Sequence, residues 1–541
     1  MGTAAKGTLG LVLENINNPG PQLLYNGAVS ASFSLTTQPS GSTGMRLYIL
    51  VQGNTTTGTV TITGTGVGGG TPTETTPTIP IQAAGQAVQV NDYEYVSTNV
   101  YATVNANGIT TTGLANAKIM IYGVQAAKYL IPCIADIEDP FGYFSPQEAR
   151  GLLDRDTRSL QTIKKPTINK IDQALYPEAS MFAAYAGVSN NPAVVSIPAS
   201  PTSLKTSSAI SGGPFSLTTQ PTAPGMVLIF TVTSSSATGT IVVSGTNQWG
   251  VAVSETITAA AGGSNGNGTY YSTNVYSAVN ASGVAFTGLT SGSCAITGVY
   301  GWQYTFTPDL NALYSACLEW YSGTDSNVIP QTYLTDLEFA FNVEKETSLS
   351  VKGGTWDVLP IGNRSTNPLS ASLVSSLAQP QDLPMVGWQT AIYIDSLGGT
   401  PATTAYSSVV EGKVSIKVPQ KPIYTATVTQ NFNRLYRQQR EVMLTAKIDF
   451  ASLDQFEAYR TNLKQFLAFQ FLGGYIGSVA GTIYSKSWTW IFPAQYVKFK
   501  RDATKLDNVQ ADLEAKGIYE ISKGYSHQLV IVSQQPPNYT A

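Results

Sequence analysis

The chain has 541 residues, 42% hydrophobic and only 12% charged, with a formal net charge of −3. So slight an acidic balance predicts no general affinity for nucleic acid or an anionic membrane surface. The 29 tyrosines and 18 phenylalanines exclude a disordered polar chain; Gly, Ser and Thr fill the place of charge, as in a protein rich in strands and turns.

In chain order, the opening MGTAAKGTLG shows no apolar run of a signal peptide, and Lys6 stands where a myristoylation pattern needs Ser or Thr. Residues 7–16, GTLGLVLENI, read as a strand within an N-terminal arm, 1–30. That strand leaves open whether the next segment is an appendage or an insertion. A β-module follows over 31–127. Met45, Leu47, Ile49 and Val51 alternate with Arg46, Tyr48, Leu50 and Gln52, which sets the first group on a core. FSLTTQP at 33–39 returns at 215–221, and STNVY at 97–101 returns at 272–276. Val104-Asn-Ala-x-Gly108 returns as Val279-Asn-Ala-x-Gly283, and Thr112-Gly-Leu114 as Thr287-Gly-Leu289. The preserved order marks a duplicated module, the second copy occupying 213–303. Two copies do not make a solenoid, which needs three or more stacked repeats. Their size and Gly-rich turns predict immunoglobulin-like sandwiches, without the Cys–Trp–Cys signature of antibody domains. Between 213 and 302 the only acid or base is Glu255. A surface of hydroxyls and amides suits carbohydrate contact or dense packing.

Segments 128–212 and 304–541 carry nearly all the charge and predict an α+β core, interrupted by the second module. Asp136, Glu138 and Asp139 could bind a cation or act as a carboxylate pair, but an acidic loop is the preferred reading. Ser145-Pro146 with Glu148 predicts a helix start. A helix is expected from Pro177, with Gly187 closing it in the left-handed conformation. Another is expected from Thr307-Pro308 to Gly323. The strongest starts at Ser452, with Gln455 completing a capping box and Leu453, Phe456, Tyr459, Leu463, Phe466 and Leu467 on one stripe. Half-buried strands are expected at 337–343, 413–418 and 442–450.

Two basic clusters stand out: Arg434, Arg437 and Arg440, and Lys498, Lys500 and Arg501. Pairing with acidic patches of a neighbouring subunit, the Asp136, Glu138 and Asp139 group among them, is preferred to phosphate binding. His527 is the only histidine and reads as a structural strand residue. Cys133, Cys294 and Cys317 form no paired framework and are expected to be reduced. The sequence holds no phosphate-binding loop, nucleophile elbow or zinc spacing, so no enzyme, cofactor or metal is expected. Asn54-Thr-Thr56 and Asn280-Ala-Ser282 match the glycosylation pattern by accident, and no membrane span is expected.

The charged part strings together ADIEDPFGYFSPQEARGLLDRDTRSL, LYPEASMFAAYAG, TFTPDLNALYSACLEW, LTDLEFAFNVEKETSLSVKGGTW, MVGWQTAIYIDSLGG and SIKVPQKPIYTATVTQNFN through LTAKIDFASLDQFEAYRTNLKQF. In order and texture, over 129–190 and 304–532, this resembles the tail tube proteins of long-tailed bacteriophages. The resemblance implies a β-sandwich or half-barrel that closes into rings, trimeric in preference to hexameric, and stacks into a tube. It implies a virion protein assembled in the host cytoplasm. Its partners would be its own copies, other tail proteins and DNA passing without sequence-specific binding. The two modules would decorate the exterior and could meet host-surface glycans. Residues 353–385 then read as a ring-to-ring arm or a surface loop. The rival readings are another virion protein (capsid or baseplate), a carbohydrate-binding adhesive protein, and a glycan hydrolase using Asp136 and Glu138.

Overall fold

The computed structural model describes residues 8–15, 22–39, 44–66, 70–81, 93–126, 129–131, 133–138, 141–144, 160–210, 213–259, 265–308, 313–321, 326–362, 383–418, 420–425, 431–432, 434–449, 454–502 and 510–537. Strands dominate, and the mainly-β expectation holds. Among the described residues the α-helices are α1 (Met181–Gly187) and α2 (Asp454–Arg460).

A seventeen-stranded sheet forms the core. Its main path is antiparallel throughout. It runs from Ile134–Glu138 through Thr167–Ala174, Ser348–Gly354 and Ser326–Asn342 to Val409–Lys417. It continues through Glu441–Asp449, Gln510–Gly517, Thr482–Asp502 and Lys464–Val479 to Ala391–Ser396. One branch adds Tyr314–Tyr321, Thr8–Asn15 and Tyr129–Ile131. The other adds Gln528–Ser533, Gly301–Phe306 and Ala193–Ile197. The inner faces share one apolar cluster that includes Leu337, Phe339, Phe341, Val414, Leu444, Trp488 and Trp490. Helix α1 is apolar all round and is buried in that cluster along its whole length.

Both modules grow out of neighbouring core strands. The first lies between Thr8–Asn15 and Tyr129–Ile131, which pair with each other. The second lies between Ala193–Ile197 and Gly301–Phe306, which also pair. Adjacent antiparallel strands bring their ends together, so a folded unit can be inserted there without disturbing the sheet.

The modules share one topology. The second orders its strands Thr202–Ala209, Ser293–Val299, Met226–Thr233, Gly268–Thr287, Gly239–Asn247 and Ala252–Ala259. The first repeats this with Gln22–Ala28, Lys118–Gln125, Met45–Gln52, Tyr101–Thr112, Thr59–Gly66 and Thr73–Thr75. The long strand Gly268–Thr287 pairs one neighbour through its first part and another through its second, so both halves enclose one core.

The repeated words have structural tasks. In FSLTTQP, Phe33 and Phe215 enter the two cores. Ser34 Oγ accepts from Asn107 N, and Ser216 Oγ from Ser282 N, both at 2.8 Å. Both accepting sites serve residues in the left-handed region, at φ 55° and 54°. The terminal Gln38 and Gln220 accept from Val104 N and Val279 N. In STNVY, Ser97 Oγ accepts from Leu47 N and Ser272 Oγ from Leu228 N. Glu74 accepts from the backbone of Thr98 and Asn99, and Glu255 does the same for Thr273 and Asn274. The one acid of the second module is therefore spent on its own fold, and burial raises its pKa against those hydrogen bonds.

Three helix expectations need correction. Residues 314–321 are strand, not helix, because two neighbouring strands pair with both edges and override the helical preference of Ala, Leu and Glu. Helix α2 stops at Arg460, and Asn462 turns the chain at φ 57°. Phe466 and Leu467, expected on its stripe, lie on the strand Lys464–Val479 and enter different clusters. Gly187 does not close α1 in the left-handed conformation; Val188 caps it through its N–H to Ala184 O. A Cβ at position 187 would sit 2.5 Å from Leu337 Cδ1, so glycine is there for close approach. The helix expected from Ser145 lies outside the described residues, as do Ser452 and Leu453.

Candidate functional site

The outer face of the main sheet carries a registered array of charge. One row places Lys413, Thr445, Glu514 and Lys498 side by side across four strands. The next places Glu411, Lys447, Asp512 and Lys500 in the same order. A third pairs Asp336, Lys417 and Glu441. Period-two alternation explains it: every second residue of each strand enters the apolar cluster, and the others stand outward. Ion pairs join Lys413 to Glu338 at 2.7 Å, Lys516 to Glu441 at 3.2 Å and Lys447 to Glu411 at 3.8 Å. Lys498 pairs with Glu514, which raises its pKa. Exposed pairs of this kind add little stability. Their consequence is a hydrated face whose lysines and carboxylates balance. A groove of about 490 Å³ crosses it, lined among others by Lys345, Glu411, Lys447, Lys498 and Glu514.

Core strands with one partner strand among the described residues include Tyr129–Ile131 and Ala391–Ser396. Two others are Ile134–Glu138 and Ala193–Ile197. Both expose aliphatic side chains: Ile134 at 59%, Val194 at 38% and Val195 at 52%. Asp136 and Glu138 stand exposed on the first edge, whereas AVVSI on the second has no charge at all. Unprotected edges of this sort seek another strand.

The structure divides the residues singled out in sequence. Asp136 lies opposite Lys170 in the sheet register, and Asp139 falls outside the described residues. Arg434 and Arg437 sit on a two-stranded ribbon with Gln420–Ile423; the side chain of Arg437 lies outside the described residues. Arg440 turns inward and donates to Val188 O at 3.0 Å. Lys498 and Lys500 belong to the charged face, but Arg501 leaves on the opposite side and stacks on Phe456 of α2 at 4.3 Å. The two basic clusters are therefore not two continuous patches.

His527 is fully buried beside Trp490, 6.1 Å between ring centres. Burial, assisted by the nearby charge of Arg440, pushes its pKa down to about 3. None of the three cysteines is in a disulfide, and burial raises the Cys133 and Cys294 thiols to about 12. No helix among the described residues is long and apolar enough to cross a membrane. Sequence reasoning missed the charged face, although its alternation was visible strand by strand.

No family model matches the chain, and no curated protein matches it. Among solved structures, one described as "Crystal structure of PBSX exported protein XepA" matches 52% of this chain and 88% of its own. The identity is 11% and the TM-score 0.14, too slight a likeness to carry fold or function across.

Proposed function

We propose that this chain is a structural, non-enzymatic subunit of a bacteriophage virion that polymerises into the tail tube. The observation that carries this reading is that Ile134–Glu138 and Ala193–Ile197, each with one edge unpartnered among the described residues, expose aliphatic side chains there. Joining one edge to the other on the next copy is a head-to-tail contact, which closes into a ring or continues as a filament. Trimeric rings are preferred to hexameric ones because the core is large for a single barrel unit. The balanced charged face suits a wall past which DNA moves without being held. The two modules would stand on the tube exterior.

Negative-stain electron microscopy of the concentrated protein at low salt tests this. Stacked rings or tubes with peripheral knobs are expected, and dispersed monomers at every concentration would sink the proposal. One observation favours a second reading, adhesion to glycans. Trp249, 57% exposed, is presented by a turn in which Asn247 Oδ1 accepts from Trp249 N and Val251 N at 3.0 Å. Glycan-array binding that disappears in Trp249→Ala would support it.

A further inference from the structure

The two modules present the same face to the core, but the core receives them differently. In the first, Arg46 and Tyr48 alternate with the interior residues Leu47 and Ile49 and turn towards the core. In the second, the equivalent positions are Val227 and Ile229, which join the main apolar cluster with Trp302 and Tyr304. Arg46 meets Glu319 of the core strand Tyr314–Tyr321 through two hydrogen bonds, Nε to Oε1 at 2.9 Å and Nη2 to Oε2 at 3.2 Å. Arg46 is 1% exposed and Glu319 2%. The other terminal nitrogen of Arg46, Nη1, donates to Ser97 O and Thr98 O. Tyr48, Val96 and Val124 of the module share a buried apolar cluster with Cys317, Val328 and Leu359 of the core.

We propose that the Arg46–Glu319 pair is the specificity determinant that assigns each duplicated module to its own seat on the core. A module bearing valine at this position would leave Glu319 buried without its guanidinium. A module bearing arginine would bury a cation in the apolar seat. Removing one member of a buried pair is far more costly than replacing both by apolar groups. Discrimination therefore comes mainly from rejecting the wrong module, whether it arrives from the same chain or from a neighbouring copy. Chain connectivity already brings each module to its own pair of core strands, and the Arg46–Glu319 pair adds chemical discrimination between modules of like topology.

Hydrogen–deuterium exchange on the full-length protein tests the assignment. The first seat is followed at Gly362, whose N–H donates to Val96 O at 2.7 Å. The second is followed along Met226–Thr233. Glu319→Val is expected to speed exchange at Gly362 on the order of a hundredfold, with the second seat unchanged. The double variant R46V/E319V should return it towards the parent rate, which also shows that the single variant's effect is not misfolding. Val227→Arg should loosen the second seat alone. Unchanged exchange in Glu319→Val, a double variant as fast as the single, or both seats loosening together would each overturn the proposal.

Discussion

His527 Nδ1 lies 3.1 Å from Ser526 Oγ, and the ring has no access to solvent. Its folded pKa, about 3, lies below the ordinary value of 6.5. The unfolded chain therefore takes up a proton below pH 6.5 that the folded chain refuses until about pH 3. The folded state is favoured at neutral pH, and that advantage is lost as pH falls through this window, by about 1.4 kcal/mol per unit at most. His527→Phe is expected to flatten the acid limb of the stability curve, read as urea midpoints at several pH values. An unchanged acid limb would mean that other groups set it. The same burial explains why a lone histidine on a strand reads as structure: a neutral ring shut away from solvent meets no substrate.

At the scale of elements, duplication allows a paired experiment. Gln38 and Gln220 each tie the end of the FSLTTQP segment to a strand, through Val104 N at 2.8 Å and Val279 N at 2.9 Å. Gln38→Ala and Gln220→Ala should each cost about 1–2 kcal/mol, read as faster local exchange in the module concerned and not in the other. Unequal effects would mean that docking on the core, rather than the module's own fold, sets local stability. The modules were legible because FSLTTQP and STNVY encode local hydrogen bonds that any copy must keep. The strand at 314–321 was not, because its partners lie at 8–15 and 326–342 and no local pattern announces them.

At the scale of the molecule, assembly and neutrality give separate predictions. A charge on the edge of Ala193–Ile197 that has no partner among the described residues should stop strand pairing while leaving the fold intact, because Val195 is half exposed. Val195→Lys is thus expected to sediment as a monomer under conditions where the parent forms rings; rings of normal size would place the contact elsewhere. The charged face is expected not to retain duplex DNA. Nonspecific binders reach Kd values of about 10⁻⁴–10⁻⁶ M through phosphate contacts. A gel shift in that range, weakening steeply with salt and lost in Lys498→Glu with Lys500→Glu, would identify a nucleic-acid site instead. The basic residues looked like two patches in the sequence. Alternation and pairing separate them: Lys498 finds Glu514, Arg501 finds Phe456, and Arg440 turns into the core.

By itself the sequence determined the mainly-β class, the duplication and the half-buried strand residues 337–342, 413–417 and 442–449, because each is written in short-range periodicity or repeated words. Only the tertiary structure decided that Thr8–Asn15 belongs to the core sheet, that helical-looking residues form a central strand, and that opposite charges register across the outer face. It also decided that Arg46, one outward residue among many, would be buried against Glu319, 273 positions away. Each of these depends on which strands become neighbours, and that choice is made by burying apolar faces together across long separations in the chain, where local pattern carries no record of the partner.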